Sequence, residues 1–407
     1  MRLSEMLRDF NAAALWAGVT AFVWYVFGAV PLHLAVAGQL GLTMVETSSW
    51  VFIVWMSGAV WSIVLTLYYR MPIPITWTIP GLIYLGTLSG QFSFPEIVGA
   101  NFMAGAIIVV LGLAGIGERI MAWLPLPIIM GMFSGSILVY VTRIVSATVE
   151  DVITAGVTVA GYLLGRAIAS QHVPPVGLAA LSGGIAVFLT GETGAAPIVW
   201  DLPTLAMPGV SFSFAAFVAV TLPMVVLAMG LGNVQGLGFL MAQGYRVPVK
   251  PVTVIIGINS VINAFLGGHA ATVARTGVAI LAGPDAGPAA GRYWANLIAA
   301  SLTVTVALAA SSVASLVGVL PRTFVVTLAG LAILSSLQGA LEKAFGEKLK
   351  FGALVAFAVA ATPFAVAGIT SAFWAILAGL GASLLGERKV LLAHWRGEED
   401  KAQYSPS

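Results

Sequence analysis

Arg275 is the side chain of this sequence with the clearest capacity for chemistry. It is the only formally charged residue between Pro251 and Gly283, in a stretch that is otherwise apolar. A charge at the centre of a bilayer costs about 2.5–3.5 kcal/mol on insertion scales, so such residues usually have a function. A guanidinium binds a carboxylate through two parallel hydrogen bonds. Because no apolar segment of the second half contains an acidic partner, we expect Arg275 to bind an anionic substrate. The alternative is a structural arginine that bonds backbone carbonyls or an acidic residue: Glu46, Glu150 or Asp151.

Other polar side chains near Arg275 could complete a binding site. His269 lies in the approach to Arg275 and could carry a proton, because imidazole titrates near neutral pH; alternatively, it is a hydrogen-bonded turn histidine. Asn233 and Gln235 lie in a glycine-rich stretch, where amides can bind a ligand or pack helix against helix. His269 is therefore the candidate for proton coupling. The expected substrate-binding residues are Tyr25, Trp77, Thr78, Ile79, Asn233, Gln235, Thr272, Ala274, Arg275 and Thr276.

The sequence lacks the signals of several other kinds of chemistry. It has no cysteine, no histidines at metal-ligand spacing, no phosphate-binding loop and no dinucleotide-binding fingerprint, so we expect no metal and no cofactor. No basic cluster indicates a nucleic-acid partner. An enzyme embedded in a membrane would need a nucleophile or a metal set, and the sequence shows neither. We therefore expect a protein that is not an enzyme.

The segments that carry these residues are typical of an integral membrane protein. Of 407 residues, 59% are hydrophobic and 8% are charged, whereas a soluble domain carries about 25% charged residues. Since each span needs roughly 20 apolar residues, the chain has room for about a dozen spans in the bilayer. We predict an all-α protein with fourteen apolar segments, at about 11–30, 50–68, 75–90, 97–116, 123–142, 152–168, 174–190, 213–232, 251–265, 270–283, 293–311, 322–340, 351–365 and 368–386.

The distribution of lysine and arginine predicts the orientation of these segments. If every segment crosses and the N-terminus is cytoplasmic, the outer side receives only Arg143 and Arg322. Cytoplasmic loops carry an excess of basic residues, so both termini are expected inside the inner (plasma) membrane. The residues predicted on the cytoplasmic side are Arg2, Arg8, Arg70, Arg119, Arg166, Arg246, Lys250, Arg292, Lys343, Lys348, Lys350, Arg388, Lys389, Arg396 and Lys401.

An internal repeat relates the two halves of the chain. Pro125 and Pro321 are 196 residues apart, and the same shift superposes Thr76 on Thr272. Because each half has seven segments, the second half would enter the membrane with the opposite orientation. Such inverted repeats are typical of secondary transporters that work by alternating access. The alternative is coincidence in an apolar chain of low complexity.

The third and tenth segments are interrupted at corresponding places in the two repeats. Three prolines in YRMPIPITWTIPG prevent a continuous helix, so we expect Ile73–Trp77 to be extended and a half-helix to begin near Ile79. A Gly-Gly pair breaks the tenth segment, and its half-helix is predicted to begin near Thr272. The N-termini of the two half-helices would face each other at the middle of the membrane. Because helix N-termini carry partial positive charge, this arrangement favours an anion.

Four motifs resemble those of the benzoate–proton symporter family of bacterial inner membranes: YRMPIPITWTIPG, LPLPIIMGMFSG, FLGGHAATVARTGVAI and AGITSAFWAILAGL. The resemblance covers roughly residues 10–390. It implies the fold of the uracil permease, in which a core domain of segments 1–4 and 8–11 binds substrate between segments 3 and 10. The gate domain, segments 5–7 and 12–14, often forms a homodimer. The implied boundaries are 1–117 and 201–311 for the core, 118–200 and 312–390 for the gate, and 391–407 for a cytoplasmic tail.

Two departures from the relatives of this fold bear on the substrate. Nucleobase transporters place glutamates in segments 8 and 10, and this sequence has none there. Benzoate-type members are expected to have a small or apolar residue where Arg275 stands, so the anion need not be benzoate. We predict secondary active transport of a small organic anion, benzoate or another carboxylate, in symport with protons, with sodium as the alternative coupling ion. The alternatives are a passive anion channel or uniporter, an inorganic-anion transporter of the same fold and, last, a nucleobase carrier.

Overall fold

All fourteen predicted segments are present in the structure as apolar helices or as a strand followed by a half-helix. The computed structural model describes residues 3–116, 123–168, 173–194, 196–346, 348–366 and 369–396. Within them, six helices are long and apolar enough to cross a membrane, and a pair bent by 58° would make a seventh. The segments, in order, are Ala12–Leu40, Met44–Tyr69, Ile75–Trp77 with Ile79–Thr87, Phe94–Ala114, Leu126–Glu150, Thr154–Ile168, Pro175–Thr190, Phe214–Ala242, Val249–Phe265, Ala271–Val273 with Arg275–Ala282, Tyr293–Leu308 with Ala310–Val319, Arg322–Phe345, Lys350–Ala361 and Ser371–Gly386.

Short helices flank the fourteen segments at both ends, Leu3–Asp9 and Arg388–Trp395. A second two-stranded pairing, Ala365–Val366 with Ile369–Thr370, precedes segment 14, where the sequence predicted helix. Three of the basic residues on which the orientation was predicted lie outside the described residues: Arg2, Arg119 and Lys401, the last in the tail from residue 397 onwards.

Capping residues, rather than the ends of the apolar runs, determine where segment 2 begins. The helix starts at Met44, six residues before the predicted position, because Thr43 and Glu46 form a capping box. The Thr43 hydroxyl accepts from the Glu46 amide at 3.2 Å, and the Glu46 carboxylate accepts from the Thr43 amide at 2.8 Å. These bonds satisfy amide groups that the helix itself leaves free.

Segment 8 is longer than predicted because its glycine-rich stretch stays helical. The prediction ended this segment at residue 232, but the helix continues to Ala242. Two π-helical stretches, Phe217–Thr221 and Leu227–Asn233, lie within it. Such wide turns change the direction in which later side chains point and often occur at functional sites. The second one presents Asn233 to the centre of the protein.

The interrupted segments 3 and 10 meet in a two-stranded antiparallel ribbon, which confirms the predicted inverted repeat. Thr76 pairs with Thr272, the residue that the 196-residue shift assigns to it. The Thr78 amide donates to the Ala270 carbonyl, and the Ala274 amide donates to the Pro74 carbonyl, both at 2.9 Å. The 196-residue shift relates Thr78 to Ala274 and Pro74 to Ala270. Each of the two bonds is therefore the repeat equivalent of the other, and the ribbon has local two-fold symmetry. The predicted start of the second half-helix near Thr272 was wrong, since Thr272 is in the strand and the helix begins at Arg275.

Side chains of neighbouring helices accept hydrogen bonds from the outward-facing amides of this ribbon. Extended backbone inside a membrane protein is stable only when its polar groups find partners. Segments 2, 8 and 9 each contribute one oxygen to an outward-facing amide of the two strands. The bonds are Ile75 N to Ser62 Oγ at 2.7 Å, Ala271 N to Ser260 Oγ at 2.9 Å and Val273 N to Asn233 Oδ1 at 2.9 Å.

The helices pack in two sets around the ribbon. Segment 4 packs against segment 9, and segment 11 packs against segments 1 and 2. Separately, segment 5 packs against segments 12 and 13, segment 6 against segment 7, and segment 13 against segment 14. Small residues allow the close approaches, as is common between membrane helices: a Cβ on Gly131 would lie 2.2 Å from the Ala353 carbonyl oxygen.

Candidate functional site

A cavity of about 320 Å³ lies beside the point where the two half-helices meet. Its volume is in the range of about 300–1,000 Å³ that is usual for small-molecule sites. Ribbon residues and the first turns of both half-helices form one side, and segments 1, 5, 6, 7 and 12 form the others. The cavity brings together seven of the ten predicted substrate-binding residues: Tyr25, Trp77, Thr78, Ile79, Thr272, Ala274 and Arg275.

The other predicted residues have different positions. Asn233 does not line the cavity; it is buried behind the ribbon, and its Oδ1 accepts from the Thr272 hydroxyl at 3.0 Å and from the Val273 amide. Gln235 is not part of the lining either, but it bonds to Arg275. The side chain of Thr276 lies outside the described part of the structure. His269 is fully buried beside the ribbon and away from the cavity wall.

Arg275 is the first residue of its half-helix, and its guanidinium faces the cavity. Its Nη1 donates to Gln235 Oε1 at 3.0 Å, the one hydrogen bond that it makes within the described residues. Two of the acidic residues considered as structural partners are bound elsewhere: Glu46 in its capping box, and Asp151 to the Thr154 amide at 2.9 Å. The guanidinium therefore keeps most of its donors available for an anion.

The two half-helices differ in the state of their N-terminal amides. At segment 3, the Thr78 hydroxyl accepts from the Gly81 amide at 3.2 Å, and Pro80 has no amide hydrogen to offer. At segment 10, Ala274 precedes the helix and provides no side-chain cap. The prediction treated the two N-termini as equivalent, but only that of segment 10 keeps its first amides uncapped. Those amides and the Arg275 guanidinium therefore form one positively polarised surface.

Two further cations, Arg166 and Lys343, line the cavity, and sequence reasoning missed both. They lie in the last turns of segments 6 and 12, where basic residues are common for reasons unrelated to a ligand. Their local sequence therefore carried no signal of the site. Among the described residues, no acidic side chain lines the cavity, which has three cations on its walls.

Neutralising Lys343 is expected to weaken anion binding about fivefold. A charge several ångströms from a bound anion contributes on the order of 1 kcal/mol in a wet site, and salt screens this contribution. Lys343→Gln should therefore lose affinity at low ionic strength and approach the wild-type affinity at high ionic strength. Calorimetric titrations at the two salt concentrations measure the effect. Lys350→Gln is the matched control, because Lys350 does not line the cavity; an equal loss in both variants contradicts the prediction.

Five aromatic side chains contribute to the remaining walls of the cavity, together with small, proline and serine residues. The hydroxyl of Tyr25 is buried next to the first turn of the segment 10 half-helix, and no described residue bonds to it. A Cβ on Gly277 would lie 1.8 Å from that hydroxyl oxygen, so only glycine fits there. The site thus combines a cationic end with flat apolar surfaces. The aromatic lining residues are Trp24, Tyr25, Trp77, Phe133 and Tyr162.

Comparison with known proteins connects this chain to transport. The family model of the benzoate membrane transport protein matches residues 8–385. The inner membrane protein YdcO of Escherichia coli is 29% identical over 343 residues, which cover 83% of this chain and 87% of that protein. The benzoate membrane transport protein of Acinetobacter baylyi is 24% identical over 381 residues, covering 93% of this chain and 96% of that one.

Solved structures share the fold. The transmembrane domain of the cyanobacterial bicarbonate transporter BicA matches with a TM-score of 0.59 and 18% identity, over 91% of this chain and 97% of that one. The murine anion transporter Slc26a9, in its inward-facing state, matches with a TM-score of 0.61 and 16% identity, over 93% of this chain and 68% of that one. The predicted fold class, an all-α membrane protein of two inverted repeats, is thereby confirmed. The chain belongs to the family of benzoate membrane transport proteins, and it is a multi-pass membrane transporter and not an enzyme.

Proposed function

We propose that the protein is a secondary transporter of a small aromatic carboxylate, with benzoate as the first candidate. The carboxylate would bind Arg275 and the uncapped N-terminus of the segment 10 half-helix, and the ring would lie against the aromatic walls. The observation that carries this proposal is a cavity that combines uncompensated cations with five aromatic side chains on its walls. An aromatic carboxylate has the same two-part character.

An organic anion fits this cavity better than an inorganic one. Bicarbonate or sulfate would use the cations, but it would gain nothing from the side chains of Trp24, Trp77 and Phe133. Burial of apolar surface contributes roughly 25 cal/mol per Å², so a ring that covers these walls gains affinity that a small oxyanion lacks. A relative named as a benzoate transport protein supports the same choice.

Alternating access would move a core domain against a gate domain, with the cavity between them. We assign segments 1–4 and 8–11 (1–117 and 201–311) to the core and segments 5–7 and 12–14 (118–200 and 312–390) to the gate. The most extensive helix contacts lie within each set, which supports this division, and segment 12 also packs against segment 1 across the two sets. We also expect the gate domain to form a homodimer.

The structure corresponds to an inward-facing state if the basic residues mark the cytoplasmic side. The cavity extends from the ribbon to Arg166 and Lys343, both predicted to be cytoplasmic. On the opposite side, the Tyr140 hydroxyl of segment 5 donates to the Ile83 carbonyl of segment 3 at 3.0 Å. Beside it, the Gln39 amide nitrogen donates to the Gly86 carbonyl of segment 3 at 3.0 Å, and the Gln39 amide oxygen accepts from Arg143 Nη1 of segment 5 at 3.0 Å. These contacts join the proposed core and gate outside the cavity.

We favour the proton gradient as the driving force for transport. Co-transport of one proton with one carboxylate moves no net charge, and the chain offers buried imidazoles beside the ribbon. Sodium coupling and passive uniport are the alternatives.

A ligand screen followed by a transport assay tests the proposal. Ligands that bind the native state raise its melting temperature, by an amount that corresponds to about 2.7 kcal/mol at 100 times Kd. We expect benzoate to stabilise the purified protein more than fumarate, bicarbonate, sulfate or uracil does. In proteoliposomes, an imposed pH gradient should drive benzoate accumulation. Stabilisation by uracil alone would refute the anion assignment, and exchange without pH-driven accumulation would indicate uniport.

A further inference from the structure

A buried cluster of two histidines and three tryptophans lies behind the ribbon, where segments 1, 2, 3 and 10 meet. His33, on segment 1, was not singled out from the sequence, and its ring centroid is 5.9 Å from that of His269. Both histidines are 0% exposed, and the Nε2 of each makes no hydrogen bond of ordinary geometry within the described residues. The three tryptophans that surround the pair are Trp50, Trp55 and Trp77.

The hydrogen bonds of the pair determine which nitrogen of each ring carries the proton. Nδ1 of His33 lies 2.9 Å from the Ala29 carbonyl oxygen, which can only accept, so Nδ1 is protonated and Nε2 of neutral His33 has a free lone pair. Nδ1 of His269 accepts from the Trp50 indole N–H at 2.9 Å. Because an indole can only donate, Nδ1 of His269 is unprotonated and its proton is on Nε2. The two rings are therefore in opposite tautomers.

We infer that the transported proton binds at Nε2 of His33, and that His269 positions it rather than carrying the proton itself. This inference rests on the proposed proton-coupled transport. In the neutral pair, His33 Nε2 is the one ring nitrogen with an unused lone pair, since the lone pair of His269 Nδ1 is occupied by Trp50. Uptake of H⁺ forms one N–H bond at His33 Nε2 and breaks none, because Nδ1–H stays on the Ala29 carbonyl. Protonation of His269 would require loss of its bond to Trp50.

Contacts of His33 connect this nitrogen to the substrate cavity. Ala29, whose carbonyl anchors the ring, lines the cavity. Trp77 also lines the cavity, and its ring centroid is 5.3 Å from that of His33. One layer of residues therefore separates the proton site from the substrate site. A displacement of segment 1 relative to the ribbon changes both sites together, as coupled transport requires.

The elements around His33 provide no carboxylate next to it. Segment 1 has no charged side chain, and the one acidic residue of segment 2, Glu46, is partly exposed and bound in its capping box. The other ionisable groups on these four segments either have other partners or surroundings, or lie at the far end of segment 2 from His33. They are Arg275 on the cavity wall, Tyr84 bonded to the Ala219 carbonyl, Tyr25 beside Gly277, and Tyr68 and Tyr69 at the end of segment 2.

Nuclear magnetic resonance of the imidazole nitrogens tests the tautomers directly. The chain has four histidines, so ¹⁵N-histidine-labelled protein in bilayers gives few signals, which the variants His33→Asn and His269→Asn assign. At neutral pH we expect the Nδ1–H tautomer for His33 and the Nε2–H tautomer for His269. On acidification, His33 should become imidazolium while His269 stays neutral. Protonation of His269 first, or the Nε2–H tautomer at His33, overturns the inference.

Transport by the same variants gives an independent readout. In His33→Asn, the amide can still donate to the Ala29 carbonyl, but the basic nitrogen is gone. With one proton per substrate, a gradient of one pH unit supports about tenfold accumulation of benzoate in the wild type. We expect His33→Asn to exchange benzoate across the membrane but to accumulate none. His269→Asn keeps an acceptor for Trp50 and should still accumulate, with a shifted pH profile; His394→Gln is the neutral control.

The outcomes separate this inference from the proposed function. Wild-type accumulation by His33→Asn overturns the assignment of the proton and leaves the anion transport intact. Exchange by the wild type without any response to the pH gradient overturns the coupling and the inference together. A wild type that neither binds nor exchanges benzoate refutes the proposed substrate, and the titration of His33 and His269 by resonance then still decides which of them binds the proton. If His33→Asn cannot be purified, variants of the other three histidines assign the His33 signal by elimination, and the same titration then decides which residue binds the proton.

Discussion

Replacement of Arg275 by alanine is expected to abolish measurable benzoate binding while the protein stays folded. The guanidinium faces the cavity, and the one hydrogen bond that it makes within the described residues goes to Gln235, a neutral side chain that can remain without it. Arg275 is exposed to the cavity, and a bound benzoate would cover it; removing one partner of such a covered charge pair costs about 2–5 kcal/mol. Affinity should therefore fall at least roughly 30-fold, since each 1.4 kcal/mol corresponds to a factor of about ten. Calorimetric titration of benzoate into the purified variant measures the loss.

Two further variants control this experiment. Arg275→Lys keeps the charge but loses the two parallel hydrogen bonds that a guanidinium offers a carboxylate, so its affinity should be intermediate. Arg388→Ala removes an exposed arginine beyond segment 14 and should bind as the wild type does. Wild-type binding by Arg275→Ala would place the anion elsewhere in the cavity. An aggregated Arg275→Ala protein would instead support the structural role that was considered for this residue.

The position of the site could be predicted from the sequence because its signals are local. Prolines and glycines interrupt segments 3 and 10 whatever the rest of the fold does, and the 196-residue shift places Thr76 opposite Thr272. An interruption inside a membrane must be buried against protein, so two interruptions at equivalent places of an inverted repeat meet. This reasoning predicts that Arg275 and Trp77 share one site, and both line the cavity.

The remainder of the site depends on contacts that no local pattern indicates. Arg166 and Lys343 reach the cavity because segments 6 and 12 converge on it, and their sequences look like ordinary helix ends. His33 is one polar residue in a long apolar helix, and the role proposed for it depends on its position beside His269. Side chains brought together by tertiary packing are visible only in the folded structure.

The amide of Asn233 shows how one residue type supports two interpretations. In a glycine-rich membrane helix, a buried amide can face a ligand or a backbone group, and the sequence left both open. The unpaired edge of the ribbon decides between them in the structure, because the Val273 amide lies 2.9 Å from Asn233 Oδ1. The side chain thus links segment 8 to the strand that precedes Arg275.

Replacement of Asn233 by leucine is expected to destabilise the protein by about 1–3 kcal/mol, the usual cost of leaving a buried amide hydrogen without an acceptor. The Val273 amide would lose its partner, whereas the Thr272 hydroxyl would keep its bond to the Ala228 carbonyl at 3.0 Å. Because the strand leads directly into the half-helix, benzoate affinity should fall as well. Thermal unfolding in detergent and calorimetric titration measure the two effects.

Asn101→Leu is the matched control for this prediction. Asn101 and Asn233 are each 1% exposed, so both substitutions place leucine at an equally buried site. Asn101 bonds only to the Ile97 carbonyl of its own helix at 3.1 Å, and its Oδ1 has no partner within the described residues. Leucine there removes an unsatisfied polar atom, so stability and benzoate binding should both be retained. Weaker binding by Asn233→Leu with unchanged stability would contradict this structural role for Asn233. It would indicate instead that the Asn233 side chain contacts the ligand.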